Sequence, residues 1–167
     1  SLWISQETSP EPLLKIITEL GPNLRSLSLE EFYFADDRLL QLVQEKCRHL
    51  TKLRLAINAE FTDKALENLF RDWSNPPLTF ADFHRTRDVD MANPGGPPEA
   101  IGLASGGFVA LMEHSGTKLR HLNVASCRHI SYAAYEEAFG EHKLYPELTL
   151  LDISFNGVVD DYLAQCI

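Results

Sequence analysis

The pattern L-x-x-L-x-L returns along the chain at a nearly constant interval, and no other feature restricts the possible folds as strongly. Copies are Leu24-Arg-Ser-Leu27-Ser-Leu29, Leu50-Thr-Lys-Leu53-Arg-Leu55, Leu119-Arg-His-Leu122-Asn-Val124 and Leu148-Thr-Leu-Leu151-Asp-Ile153. Leu78-Thr-Phe-Ala81-Asp-Phe83 is a degenerate copy. The first anchors lie at 24, 50, 78, 119 and 148, so the steps are 26, 28, 41 and 29 residues. A fixed period of this size means that each unit buries its apolar face only by stacking on its neighbours.

Three of the four steps sit at the long end of the leucine-rich-repeat range, and the fourth is one repeat plus about a dozen residues. The register can be checked at a second offset. Three residues after the last anchor such a repeat wants Asn or Cys, and here stand Asn58, Thr86, Cys127 and Asn156, with Phe32 as the exception. A small polar side chain at that turn satisfies backbone groups that the exit from the strand would leave unpaired. Three residues further on an apolar residue returns, as Phe61, Val89, Ile130 and Val159.

A helix signal is read after each strand. Asp36-Asp37 precede Leu39, Leu40, Leu42 and Val43, Thr62-Asp63 precede Ala65, Leu66, Leu69 and Phe70, and Ser131 precedes Ala134, Tyr135, Ala138 and Phe139. Asp160-Asp161 stand before Tyr162 and Leu163, while Pro12 opens a helix that Gly21-Pro22 stops. Capping residues before apolar positions at helical spacing predict one helix per repeat. The expected fold is therefore α/β: a leucine-rich-repeat solenoid of about five repeats plus partial ends, with parallel strands on the concave face and helices on the convex face. Leu2-x-Ile4 lies 25 residues before Leu27-x-Leu29, which makes Ser1–Ser5 the expected strand of an earlier repeat. Neither end resembles a capping repeat, so a fragment of a longer protein, or a chain whose ends a partner covers, is expected.

Residues 1–167 read as one solenoid, with a Pro/Gly-rich insertion at about 87–104. Three prolines and three glycines there exclude a helix or an interior strand. The segment is either a tolerated surface loop or a projecting binding loop. Fifteen Lys and Arg against 24 Asp and Glu leave a net charge of −9, a poor basis for direct DNA contact, which needs a basic face to displace counterions. No apolar run approaches the length of a membrane span and no leader opens the chain. Three widely spaced cysteines make no disulfide framework. A soluble intracellular protein with reduced thiols is expected.

Catalytic motifs are absent. There is no G-x-x-x-x-G-K-[ST], no G-x-G-x-x-G and no H-E-x-x-H, and Ser105 in Gly102-Leu-Ala-Ser-Gly-Gly lacks the spacing of a nucleophile elbow. Cys-Arg-His occurs twice, at Cys47–His49 and Cys127–His129. Repeat phase places these copies at different edges, so both cysteines, and Cys166, are expected to be structural rather than zinc ligands. No cofactor, no metal, no small-molecule substrate and no enzymatic activity are expected.

Period two sends the residues between the leucines outward. The central outward row reads Trp3, Ser28, Arg54, Asp82, Asn123, Asp152. One flanking row is Ser1, Ser26, Lys52, Phe80, His121, Leu150, and the other includes Glu30 and His84. Large apolar groups among polar ones suit a protein interface. The candidate partner-binding residues are Trp3, Lys52, Arg54, Phe80, Asp82, His84, His121, Asn123, Leu150 and Asp152. Arg54 and Asp82 occupy adjacent rungs, where they either face a partner or pair with each other. The histidines are expected to make contacts rather than to act as acid or base, since nothing in the sequence pairs them with a nucleophile. Leu53 and Leu122 are the predicted core anchors, with Lys52 and His121 facing out.

The Cys-x-x-Leu-x-x-Leu-x-Leu form at Cys47–Leu55, together with Cys127 and Thr62-Asp63, resembles the cysteine-containing repeats common in F-box substrate receptors of ubiquitin ligases. The stretches Asp72–Phe80, Thr86–Asp90, Ile101–Phe108 and Cys127–Ser131 together resemble the leucine-rich-repeat subunit of the fungal global-genome nucleotide excision repair complex. That resemblance implies a nuclear, non-catalytic scaffold for damage recognition. It also implies as partners a Swi/Snf-type ATPase carrying a RING finger and the subunits of an elongin–cullin ubiquitin ligase. An F-box-type substrate receptor unrelated to repair is the alternative. No residue role is carried over from either family.

Overall fold

The computed structural model describes residues 1–5, 10–32, 35–57, 60–86, 101–140 and 143–157. Asn58, Val89, most of the insertion (87–100) and the positions after 157, with Val159, Asp160-Asp161, Tyr162, Leu163 and Cys166, lie outside them. Strands and helices alternate as β1 (Leu2–Ser5), α1 (Pro10–Leu20), β2 (Ser26–Glu30), α2 (Asp37–Lys46), β3 (Lys52–Ala56), α3 (Asp63–Arg71), β4 (Phe80–Asp82), α4 (Ser105–Ser115), β5 (His121–Asn123), α5 (Tyr132–Phe139) and β6 (Leu150–Asp152). The strands form one sheet in chain order, every pair parallel. This is the α/β leucine-rich-repeat solenoid. Among the described residues no helix is long and apolar enough to cross a membrane.

The register is the one the repeat predicts. Leu27 pairs with Leu53, Leu53 with Ala81, Ala81 with Leu122 and Leu122 with Leu151. The anchors Leu24, Leu27, Leu29, Leu50, Leu53, Leu55, Leu78, Ala81, Phe83, Leu119, Leu122 and Val124 are buried, while Lys52 is exposed. Leu148, Leu151 and Ile153 are half-buried at the β6 edge.

Turn chemistry links neighbouring repeats. Cys127 Sγ donates to Phe83 O at 3.1 Å, and Asn156 Nδ2 donates to Val124 O at 2.8 Å, each reaching the last anchor carbonyl of the preceding repeat. Thr86 Oγ1 accepts from Leu103 N at 3.1 Å. Phe32 fills the equivalent place in its repeat as a buried apolar side chain. Two residues past the last anchor every described repeat turns left-handed, at Glu31, Ile57, Arg85, Ser126 and Phe155, with φ between 51° and 59°. None is glycine, and the β-branched Ile57 is especially strained in this region. The neighbouring repeat holds the conformation: Glu31 N donates to Ala56 O, Ile57 N to His84 O, Arg85 N to Ala125 O and Ser126 N to Ser154 O, at 3.2, 3.0, 2.9 and 2.9 Å.

The helix starts are also joined from repeat to repeat. Asp36, Thr62 and Ser131 cap their own helices as expected. Beyond that, the first residue of each of three helices bonds the start of the next. Asp37 accepts from Thr62 N (2.7 Å) and Thr62 Oγ1 (3.0 Å). Asp63 accepts from Ala104 N (2.7 Å), Gly106 N (3.1 Å) and Gly107 N (2.9 Å). Ser105 Oγ accepts from Ser131 N at 2.9 Å.

Helix α4 is the helix that the repeat requires after β4, although the sequence analysis names no residues for it, and it starts at Ser105, directly after the insertion at about 87–104. Ile101 bridges Thr62, Gly102 N donates to Phe61 O at 2.7 Å, and Leu103 is buried, so the chain has rejoined the core before Ser105. The helix opens on Gly106-Gly107 and has no side-chain cap from its own N-cap residue. Asp63 supplies that cap from α3. A Cβ on Gly107 would sit 2.7 Å from Asp63 Oδ1 and 3.0 Å from Leu66 Cβ, so the glycines are what let the two helices approach.

Cys47 and Cys127 are buried free thiols. Burial pushes Cys47 up to about 11 and Cys127 up to about 12. Raised values leave almost no thiolate at pH 8, and the thiolate is the nucleophile. Iodoacetamide at pH 8 is expected to spare both in the native protein and to label both in denaturant. Peptide mapping by mass spectrometry checks this, and rapid native labelling of either would contradict the packing.

Candidate functional site

The outward rows form the concave face in the predicted order. Trp3 lies beside Ser28, Ser28 beside Arg54, Arg54 beside Asp82, Asp82 beside Asn123 and Asn123 beside Asp152. Lys52, Phe80, His121 and Leu150 line up in the flanking row. His84 follows β4 at the strand-exit rim. All ten candidate residues therefore share one face and its rim, but they divide into two groups.

The first group is engaged within the protein. Asp82 Oδ1 accepts from His84 N (3.1 Å), Asn123 Oδ1 from Ala125 N (3.0 Å) and Asp152 Oδ1 from Ser154 N (3.0 Å). These are Asx turns, in which a short polar side chain bonds its own backbone two residues on. They explain a difference among the strands. β4, β5 and β6 stop after three residues, whereas β2 and β3, with Ser28 and Arg54 at the matching position, run for five. Asp82 is only 4% exposed, and its carboxylate is taken up by bonds within the fold.

Charge on this face is largely paired. Arg54 Nη2 lies 3.0 Å from Glu30 Oε1 and its Nε 3.4 Å from Asp82 Oδ2. His84 Nδ1 lies 2.7 Å from Asp82 Oδ1. Of the two possibilities the sequence left open, pairing between Arg54 and Asp82 is the one realised. Glu30 belongs to this network and was not among the candidates. It sits on the diagonal from Arg54 across β2 and β3, a relation that reaches long side chains once the register is known.

The second group is accessible. Trp3 is 64% exposed and Leu150 44%, and Lys52 is exposed as well. The Phe80 and His121 rings stack with centroids 4.3 Å apart. Burial holds the His121 imidazole below its ordinary 6.5, against the pull of Asp82 and with help from Arg54. The stacked ring is therefore neutral at pH 7 and presents an aromatic surface. Asp152 is held below the usual carboxylate range by its bonds from Ser154.

Two depressions mark the face. A shallow one of about 190 Å³ is lined by Ser26, Leu27, Ser28, Lys52, Arg54 and Phe80. A second, of about 390 Å³, lies at the rim among His84, Asn123, Arg128, Asp152 and Phe155. Among the described residues no group of three or more His, Cys, Asp or Glu could hold a metal ion.

A family model described as Leucine Rich repeat matches residues 46–70. The chain is similar to one chain of the solved complex of Rad7 and Elc1 from yeast, with a TM-score of 0.76 and 20% identity. The match covers 97% of this chain and 36% of that one, so this chain spans about a third of its length. Identity at this level shows a shared fold. No curated protein sequence matches the chain.

Proposed function

We propose that this chain is a non-catalytic protein-interaction scaffold in a nuclear complex that recognises DNA damage and works with a cullin-type ubiquitin ligase. One observation carries the reading: the solenoid superimposes along nearly its whole length on part of a chain solved in the Rad7–Elc1 complex. Two further points support it. The accessible part of the concave face is aromatic and aliphatic, through Trp3, the Phe80–His121 stack and Leu150, as suits a protein partner. Its acids are committed to internal bonds, and the net charge of −9 disfavours a DNA-binding face. The partners proposed are a Swi/Snf-type ATPase with a RING finger and elongin–cullin ligase subunits.

The test is affinity capture from fungal nuclear extract with the intact native protein, read by mass spectrometry, beside a bait carrying Trp3→Ala and Phe80→Ala. The ATPase, elongin and cullin are expected with the native bait and reduced with the variant. Recovery of Skp-type adaptors without repair proteins would overturn the repair reading in favour of an F-box-type receptor, which the repeat form at Cys47–Leu55 also fits.

A further inference from the structure

We infer that the shallow depression between β1 and β4 seats an apolar side chain of an extended protein segment, and that Lys52 selects a segment with a carboxylate beside that side chain. The inference rests on the reading of the concave face as a contact surface and adds the chemistry of what it contacts.

Size is the first argument. About 190 Å³ is below the roughly 300–1,000 Å³ of small-molecule sites, so the depression fits one side chain rather than a cofactor. Its shape follows from the sequence. Ser26 and Ser28 are small side chains on β2, and they leave a gap that the Phe80 ring of β4 borders, with Trp3 on the rung next to Ser28. Leu27, the Phe80 ring and the stems of Lys52 and Arg54 complete the lining.

Charge is the second argument. The two cations at the depression differ. Arg54 is held by Glu30 and Asp82, whereas Lys52 makes no ion pair among the described residues and is exposed. The hydroxyls of Ser26 and Ser28 likewise make no hydrogen bond among the described residues. An uncompensated ammonium beside two free hydroxyl donors complements a carboxylate, and it stands on a protein whose net charge of −9 repels acidic chains elsewhere. A segment with an aliphatic residue next to Asp or Glu satisfies both halves of the site, the apolar residue against Phe80 and the acid at Lys52.

The test titrates the full ¹⁵N-labelled chain with an acetylated, amidated Leu-Glu-Leu-Glu peptide and, separately, with Leu-Gln-Leu-Gln, following amide shifts by NMR. The glutamate peptide is expected to move the amides of Ser26, Ser28, Lys52 and Phe80 and to bind about three- to fivefold more tightly than the glutamine peptide, the range of one partly exposed ion pair. Lys52→Met is expected to remove that preference and Lys52→Arg to keep it. No shift at these amides with millimolar peptide, equal binding of the two peptides, or an unchanged preference in Lys52→Met would each overturn the inference. Loss of partners from the Trp3/Phe80 bait alongside equal peptide binding would discard the acid selectivity and leave the scaffold reading standing.

Discussion

Asp63→Ala is expected to destabilise the protein by roughly 2–4 kcal/mol, the cost of withdrawing a charged acceptor from several backbone donors of which solvent replaces only part. The Asp63 carboxylate takes three N–H groups at the start of α4, and α4 has no cap of its own. Removing it uncaps a helix in the next repeat, which a side chain on the surface of its own helix would not do. Asp63→Asn retains one oxygen acceptor and should fall between the two. Urea denaturation with a shared m-value measures the loss, and hydrogen exchange at Gly106 and Gly107 localises it. A change below about 0.5 kcal/mol would mean that the contact between repeats carries no weight.

The second large effect sets two adjacent residues against each other. Leu53→Ala and Leu122→Ala should each cost about 2–5 kcal/mol, because both side chains are fully buried in the stack of anchors. Lys52→Ala, one residue away on the opposite face, should stay within about 0.5 kcal/mol. A strand's side chains alternate, so a register wrong by one residue would exchange these results. Thermal or urea unfolding of the three variants is the measurement, and a Lys52→Ala chain that fails to fold would refute the register.

The same alternation explains why so much of the candidate face was legible in advance. Period two places Trp3, Arg54, Asn123 and Asp152 outward without any knowledge of the sheet, and the spacing of the leucines aligns one repeat on the next. Direction and accessibility are different properties, however. Asp82 points outward as expected and is nonetheless buried, because Arg54 from one side and His84 from the rim close over its carboxylate. That burial depends on long side chains meeting across strands, a relation between residues 28 apart in the case of Arg54 and Asp82.

The sequence alone determined what local chemistry and periodicity can determine: the repeat, the strand register, the capped starts of α2, α3 and α5, and the buried anchors. These follow from a side chain's alternation along a strand, its spacing along a helix, or a hydroxyl or carboxylate bonding a backbone N–H two or three residues on. Tertiary structure alone decided the features whose partners lie one repeat away. Helix α4 has two glycines in its first turn and is buried on most sides, so neither propensity nor a polar face announces it, and Asp63 of the preceding helix caps its start. The left-handed turns fall on Glu31, Ile57, Arg85, Ser126 and Phe155, residue types that do not favour a positive φ, because four of the five turn N–H groups hook onto carbonyls of the next repeat. The strain at each of these turns is a local cost that only stacking offsets.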